Sequence, residues 1–166
     1  ANFTGVSVTA MSRQDLDPVS VSFAGGLFAG ISASAPVVVL NETTQATIGS
    51  SALINQDPTG VSVGQDVQLI AADFTDLTAG VGGGAFGAVG IGIGASVNVI
   101  NKNTEASIGA TAKVGANDSV AVKALSEENI LSISASAAIS GAGLGGSAGV
   151  YVMDLKTKAI VGPGAI

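Results

Sequence analysis

Apolar and small polar residues alternate with a period of two over much of this chain. Val19, Val21, Phe23, Leu27, Ile31, Val37 and Val39 share one parity, with Ser20, Ser22, Gly30, Ser32 and Ser34 on the other. Val89, Ile91, Ile93, Val97 and Val99 alternate with Gly90, Gly92, Gly94, Ser96 and Asn98, and Leu131, Ile133, Ala135 and Ala137 with Ser132, Ser134 and Ser136. Alternation of this kind sends successive side chains to opposite faces and predicts strands.

The pattern recurs three times. Thr44, Ala46, Ile48 and Gly49 are matched by Thr104, Ala106, Ile108 and Gly109, and by Thr157, Ala159, Val161 and Gly162. Val37, Val39 and Asn41 precede the first threonine as Val97, Val99 and Asn101 precede the second and Val150, Val152 and Asp154 the third. Farther upstream, Val6, Val8 and Ala10 correspond to Val67, Leu69 and Ala71, and to Val120, Val122 and Ala124. Self-similarity at a fixed period is the signature of a repeat architecture. The repeats divide as 6–66, 67–119 and 120–166 within a single segment, 1–166.

Each alternating stretch far exceeds the usual strand of about 5 to 6 residues. Breaks are therefore predicted at Gly25-Gly26, at Gly82-Gly83-Gly84 and between Gly141 and Gly146, with further corners at Asn41, Asn101 and Asp154, whose short side chains tolerate left-handed geometry. Insertions around Pro18 and at Asp57-Pro58-Thr59-Gly60 lengthen the first copy. A repeat split in three leaves about 18 residues per coil, which predicts an all-β fold, a parallel right-handed β-helix (β-solenoid) of about three rungs per repeat of 53–61 residues. Nine rungs about 4.8 Å apart make a rod of roughly 43 Å.

Composition narrows the core and the function. The 166 residues are 47% hydrophobic and 11% charged, which excludes the signature of disorder. That apolar content is chiefly Ala, Val and Ile, with 4% aromatic residues and 24 glycines, so the core is expected to be thin. A net charge of −6 with no basic patch argues against nucleic acid. Cysteine is absent, so packing and hydrogen bonding carry the stability. Ala1 follows no charged leader and the last repeat ends soon after Gly162, so the segment is expected to be cut from a longer array.

Candidate chemistry is sparse. Gly82-x-Gly84-x-x-Gly87 and Gly141-x-Gly143-x-x-Gly146 match the dinucleotide fingerprint as strings, but strand-type alternation follows them where a helix is required. There is no His, Cys or Trp, and Tyr151 is the one tyrosine. The acidic pairs Asp15/Asp17, Asp73/Asp76 and Glu127/Glu128 recur with the repeat, as solvated corners do, whereas a catalytic pair need occur once. Calcium could be held weakly at Asn117-Asp118 or Asp15/Asp17, but no β-roll nonapeptide or EF-hand loop is present. Carbohydrate binding lacks an aromatic platform. No catalytic, cofactor-binding or metal-ligating residue is assigned, and no enzyme activity or cofactor is expected.

Residues 18–41, 77–101 and 129–153 carry no charge. Eight glycines in 77–101 argue against a membrane helix, and the scarcity of aromatics argues against the girdles of an outer-membrane barrel, so membrane insertion is disfavoured.

The V-x-V-x-A strands, the alternating small-residue stretch and the closing T-x-A-x-I-G strand resemble, from Val6 to Gly162, the β-solenoid arrays of large secreted bacterial surface proteins, the filamentous haemagglutinin-like exoproteins. The resemblance implies a parallel β-helix exported across an outer membrane and displayed or released as an adhesin, filament or toxin stalk. The expectation is a structural repeat region of an extracellular or cell-surface adhesin or filament, a stiff rod for adhesion or cohesion that self-associates through its β-edges and meets a host or matrix ligand. The alternative is a membrane-inserting or pore-forming module of glycine-rich β-hairpins.

Overall fold

The computed structural model describes residues 4–57, 59 and 62–166, and all regular structure among them is β. The first repeat supplies β1 (Thr4–Leu16), β2 (Val19–Gly25), β3 (Ala29–Ser34), β4 (Val37–Ile48) and the short β5 (Leu53–Ile54). The second supplies β6 (Gln65–Ile108) and β7 (Lys113–Val114), and the third β8 (Val120–Val161).

Every pairing is parallel and joins equivalent positions of successive repeats. The strands β1 to β4 lie along one side of β6, from Thr4 opposite Gln65 to Ile48 opposite Ile108. On the other side lies β8, with Val67 opposite Val120 and Ile108 opposite Val161. The hydrogen-bonded neighbour of each residue is thus one whole repeat away, and a repeat is one layer. The expectation of about three rungs per repeat does not hold, and three layers about 4.8 Å apart rise far less than the predicted rod.

Of the predicted breaks, that at Gly25-Gly26 coincides with the end of β2, whereas those at Gly82-Gly83-Gly84 and between Gly141 and Gly146 fall inside β6 and β8. Rather than leave the layer at its glycines, the chain doubles back within it, so the ladder continues through 44 residues of β6 and 42 of β8. Each layer has two legs facing each other through side chains. In the first layer Ser20 Oγ meets Ser34 Oγ at 2.7 Å across the gap. In the second, Gly83 faces the backbone of Ile93 so closely that a Cβ there would lie 2.8 Å from the Ile93 carbonyl oxygen. The legs meet at an apex formed by residues 26–28 and, one layer on, by 87–88. That one-residue difference shifts the register between β2 and β3, whereas no residue is inserted at Pro18: Leu16 pairs with Leu77 and Val19 with Gly80. Pro58 and Gly60 of the other predicted insertion lie outside the described residues.

Asn41, Asn101 and Asp154 are likewise not corners. They lie inside β4, β6 and β8 as one column. Left-handed backbone occurs instead at Ser51, Asn55 and Thr111, in the connections at the base of the layers.

The space between the legs changes character along its length. At the base it is a conventional core in which Ala46, Ile48, Val67, Leu69, Ala71, Ala106, Ile108 and Ala112 are buried. The repeated Thr-x-Ala-x-Ile string is the inward face of this part, since Thr104, Ala106 and Ile108 point in while Glu105 and Ser107 are less buried. Toward the apex the inner residues shrink to Ala79, Gly83 and Ala85 against Gly90, Gly92 and Gly94, with Val81 seated on Gly94, and the legs close to backbone contact at Gly83. On the second leg, the small side chains inside leave the large ones of the same alternation outside, whereas on the first leg of the middle layer the outer positions are Gly80, Gly82 and Gly84, covered by Val19, Val21 and Phe23. Ile93 remains 48% exposed although a layer covers it on each side.

Candidate functional site

Between the apolar base and the narrow apical half runs a belt of buried polar side chains. Strand alternation turns Asp73 and Thr75 inward from one leg of the middle layer and Lys102 and Thr104 inward from the other. Lys102 Nζ lies 2.6 Å from Asp73 Oδ1, 2.8 Å from Glu128 Oε1 and 2.9 Å from Thr75 Oγ1. The ammonium donates hydrogen bonds to Glu128 and Thr75, and its contact with Asp73 Oδ1 is an ion pair off hydrogen-bond alignment. The side chains of Lys102 and Asp73 are sealed from solvent, and that of Glu128 is 15% exposed.

The belt ties all three layers together. Thr44 of the first donates to Asp73 Oδ2 at 3.2 Å, and Thr75 donates to Gln14 Oε1 at 3.4 Å. Ser126 and Glu128 enter from the third, where the Ser126 hydroxyl donates to Glu128 Oε1. In the first layer Glu42 occupies the column of Lys102 and accepts from Ser12 Oγ at 2.8 Å. A chain slipped by one residue would turn every one of these groups outward and leave its partner buried alone. The belt therefore fixes register. With both carboxylates held on one ammonium and Asp73 and Lys102 closed to solvent, it offers a substrate no free acid or base.

Burial pushes the Glu128 carboxyl up, but hydrogen bonds from Lys102 and Ser126 and the Lys102 charge outweigh it and hold the group below its ordinary 4.5. A depressed carboxyl stabilises the fold fully above its unfolded value, and this contribution is lost as pH falls through the folded one. Urea midpoints are expected to be flat near neutrality and to fall once pH drops below about 4.5. In Glu128→Gln that acid slope should shrink; an unchanged slope would remove Glu128 from the explanation.

Two of the three acidic pairs singled out in the sequence are split by alternation, whereas Asp15 and Asp17 are both exposed. Asp73 points in and Asp76 out; Glu128 points in while Glu127 is more exposed. Asp15 and Asp76 share an outer column completed by Asn129, whose Nδ2 donates to Asp76 Oδ1 at 3.0 Å. Glu128 stands in the column of Thr75 and Gln14 instead. Arg13 lies 3.6 Å from Asp76 at the surface, an arrangement worth little in water. Asp17 falls between β1 and β2.

Elsewhere, Tyr151 lies in the column of Val38 and Asn98 with its hydroxyl buried and unpartnered among the described residues. Asn117 donates from Nδ2 to the Ser62 carbonyl at 3.2 Å, and Asp118 from its backbone N–H to the Gln65 carbonyl, at the base. Both Gly-x-Gly-x-x-Gly strings lie within β6 and β8, and no helix follows either one. On the outer face of the second leg, Asn101 Nδ2 donates to Asn41 Oδ1 at 2.8 Å, and Lys156 pairs with Asp154 at 2.6 Å. These line a shallow groove of about 250 Å³. Among the described residues no cluster of three His, Cys, Asp or Glu side chains could hold a metal ion, and no helix is long and apolar enough to cross a membrane.

Sequence reasoning missed Lys102. The signal was its parity: it is the one charged residue of 89–108 on the small, inward set, whereas Glu105 is on the other. Comparison with family models, curated proteins and solved structures gives no match.

Proposed function

We propose that this chain is a structural repeat region of an extracellular bacterial adhesin or filament, a β-solenoid in which each repeat adds one layer to a stiff body displayed at the cell surface. One observation carries the reading: parallel pairing joins equivalent positions of all three repeats, layer on layer, and leaves an open edge on the first and the third. Unpaired strand edges template further pairing. The two ends also suit each other. Val120, Val122 and Ala124 close one end on the inner columns that Val6, Val8 and Ala10 close at the other. At the third layer Val120, Val122, Ile108 and Val161 line an apolar hollow of about 260 Å³.

Such a body works mechanically. Load along the stack is shared by every interlayer hydrogen bond of both legs, and the belt keeps successive layers from sliding. Adhesion or cohesion then comes from the surface ladders or from neighbouring parts of a larger protein, and the ligand is a host or matrix surface. Stacked copies are expected to form elongated particles in negative stain, lengthening with concentration, with a meridional reflection near 4.8 Å. Short particles of one size at every concentration would refute end-to-end stacking.

A further inference from the structure

Much of the apical half is inverted relative to a soluble sheet, with mostly glycine, alanine and serine inside and large apolar residues outside; on the first leg of the middle layer Val81 is buried inside and the outer positions are Gly80, Gly82 and Gly84, over which Val19, Val21 and Phe23 of the first layer lie. The broad faces carry Val21 and Ile133 on one leg, and Val37, Val97 and Val150 on the other, all exposed, and Leu27 and Phe28 cap the apex at 92% and 84% exposure. On the second leg the exposure is not a product of the open ends, because Val89, Ile93 and Val97 belong to the middle layer; on the first leg the columns of Ile133 and Val21 pass through Gly80 and Gly82. Contiguous apolar surface of this extent on a soluble chain marks an interface.

We propose that these faces are the contact between copies of this chain, packed side by side, face on face, at right angles to the stacking direction. Three features favour a second copy over a lipid bilayer. Hydrocarbon would surround the free edges of the first and third layers, whose backbone groups have no partner there, whereas a second copy covers only the faces and leaves those edges in water. The apical half has no charge within 18–41, 77–101 or 129–153, so copies meet there without bringing together the acidic groups that give the chain its net charge of −6. The columns Val37–Val97–Val150 and Val39–Val99–Val152 are straight ladders of β-branched residues, which suit sheet-on-sheet packing about 10 Å apart.

Because both faces are apolar, the contact does not close at a dimer. It gives lateral bundling, a cohesive property distinct from growth through the edges and independent of it.

Sedimentation velocity over a rising concentration series tests this. The native chain is expected to form species that grow with concentration, even if no end-to-end filaments appear. Val37→Lys with Val150→Lys charges one face and should leave nothing larger than a dimer. Adding Val21→Lys and Ile133→Lys should leave a monomer with an unchanged far-ultraviolet spectrum. Should the lysine variants misfold, threonine at the same four positions keeps the shape and β-propensity and should weaken association in the same order. Association unaffected by these changes would overturn the proposal. So would a native chain that stays monomeric throughout, or one that is monomeric in buffer and floats with neutral phosphatidylcholine vesicles after a high-salt wash; the latter would assign the faces to lipid.

Discussion

Replacing Lys102 by alanine is expected to destabilise the fold by about 3–5 kcal/mol, the usual cost of removing one partner from a buried ion pair. Asp73 would keep only the Thr44 hydroxyl as a donor, in a site with no solvent access. Glu128 would keep Ser126 and its partial contact with water. Urea unfolding monitored by circular dichroism reads the loss directly as a lower midpoint. A second variant separates the burial of an unpaired charge from any intrinsic need for a salt bridge: Lys102→Met with Asp73→Leu and Glu128→Gln removes the charges together. Apolar replacement of a whole buried pair is often neutral or stabilising, so this triple variant should recover most of the stability. A triple variant as weak as the single one would show that the belt contributes more than mutual neutralisation, and a Lys102→Ala protein as stable as the parent would refute the buried network.

Gly83→Ala is the second large effect. Removing a glycine lowers the entropy of the unfolded chain and stabilises by about 0.4–1 kcal/mol where the native geometry accepts a side chain. Here the new methyl would lie 2.8 Å from the Ile93 carbonyl oxygen and 3.0 Å from its nitrogen, and these are backbone atoms that cannot turn aside. Overpacking costs about 1–3 kcal/mol, so the loss wins. Gly92→Ala meets the Gly83 carbonyl oxygen at 2.9 Å from the opposite leg and should behave alike. The control is Gly146→Ala, whose methyl has no heavy atom within 4 Å and whose backbone is not left-handed. That variant is expected to be neutral or slightly stabilised. If all three glycines tolerate alanine equally, the legs are not in close contact.

The belt was only partly legible because periodicity reports which residues share a face, not what lies across from them. Asp73 and Asp76 look like a pair in the chain, yet three positions apart in a strand means opposite faces. Their real partners stand in the other leg and in adjacent layers, tens of residues away. Recurrence marks Glu128 as a counterpart of Asp15 and Asp76, yet it stands one residue from their column, opposite Thr75, and one residue is the difference between solvent and core. Lys102 was passed over because a lone lysine in an acidic chain is ordinarily solvated.

The amino-acid order by itself determined the strands, the threefold recurrence and the equivalence of positions between copies. Val6 with Val67 and Val120, and Ala46 with Ala106 and Ala159, are register partners in the folded chain as they are in the repeat. Local alternation and self-similarity suffice for this, since identical segments stack most easily on themselves. Only the tertiary structure decided how much chain makes one layer and which parity faces in. Both depend on the distance between the legs: backbones close enough to touch at Gly83 and Ile93 leave room chiefly for glycine, alanine and serine, with Val81 seated against Gly94, and that turns most of the valines and isoleucines of the second leg out to where another surface can cover them.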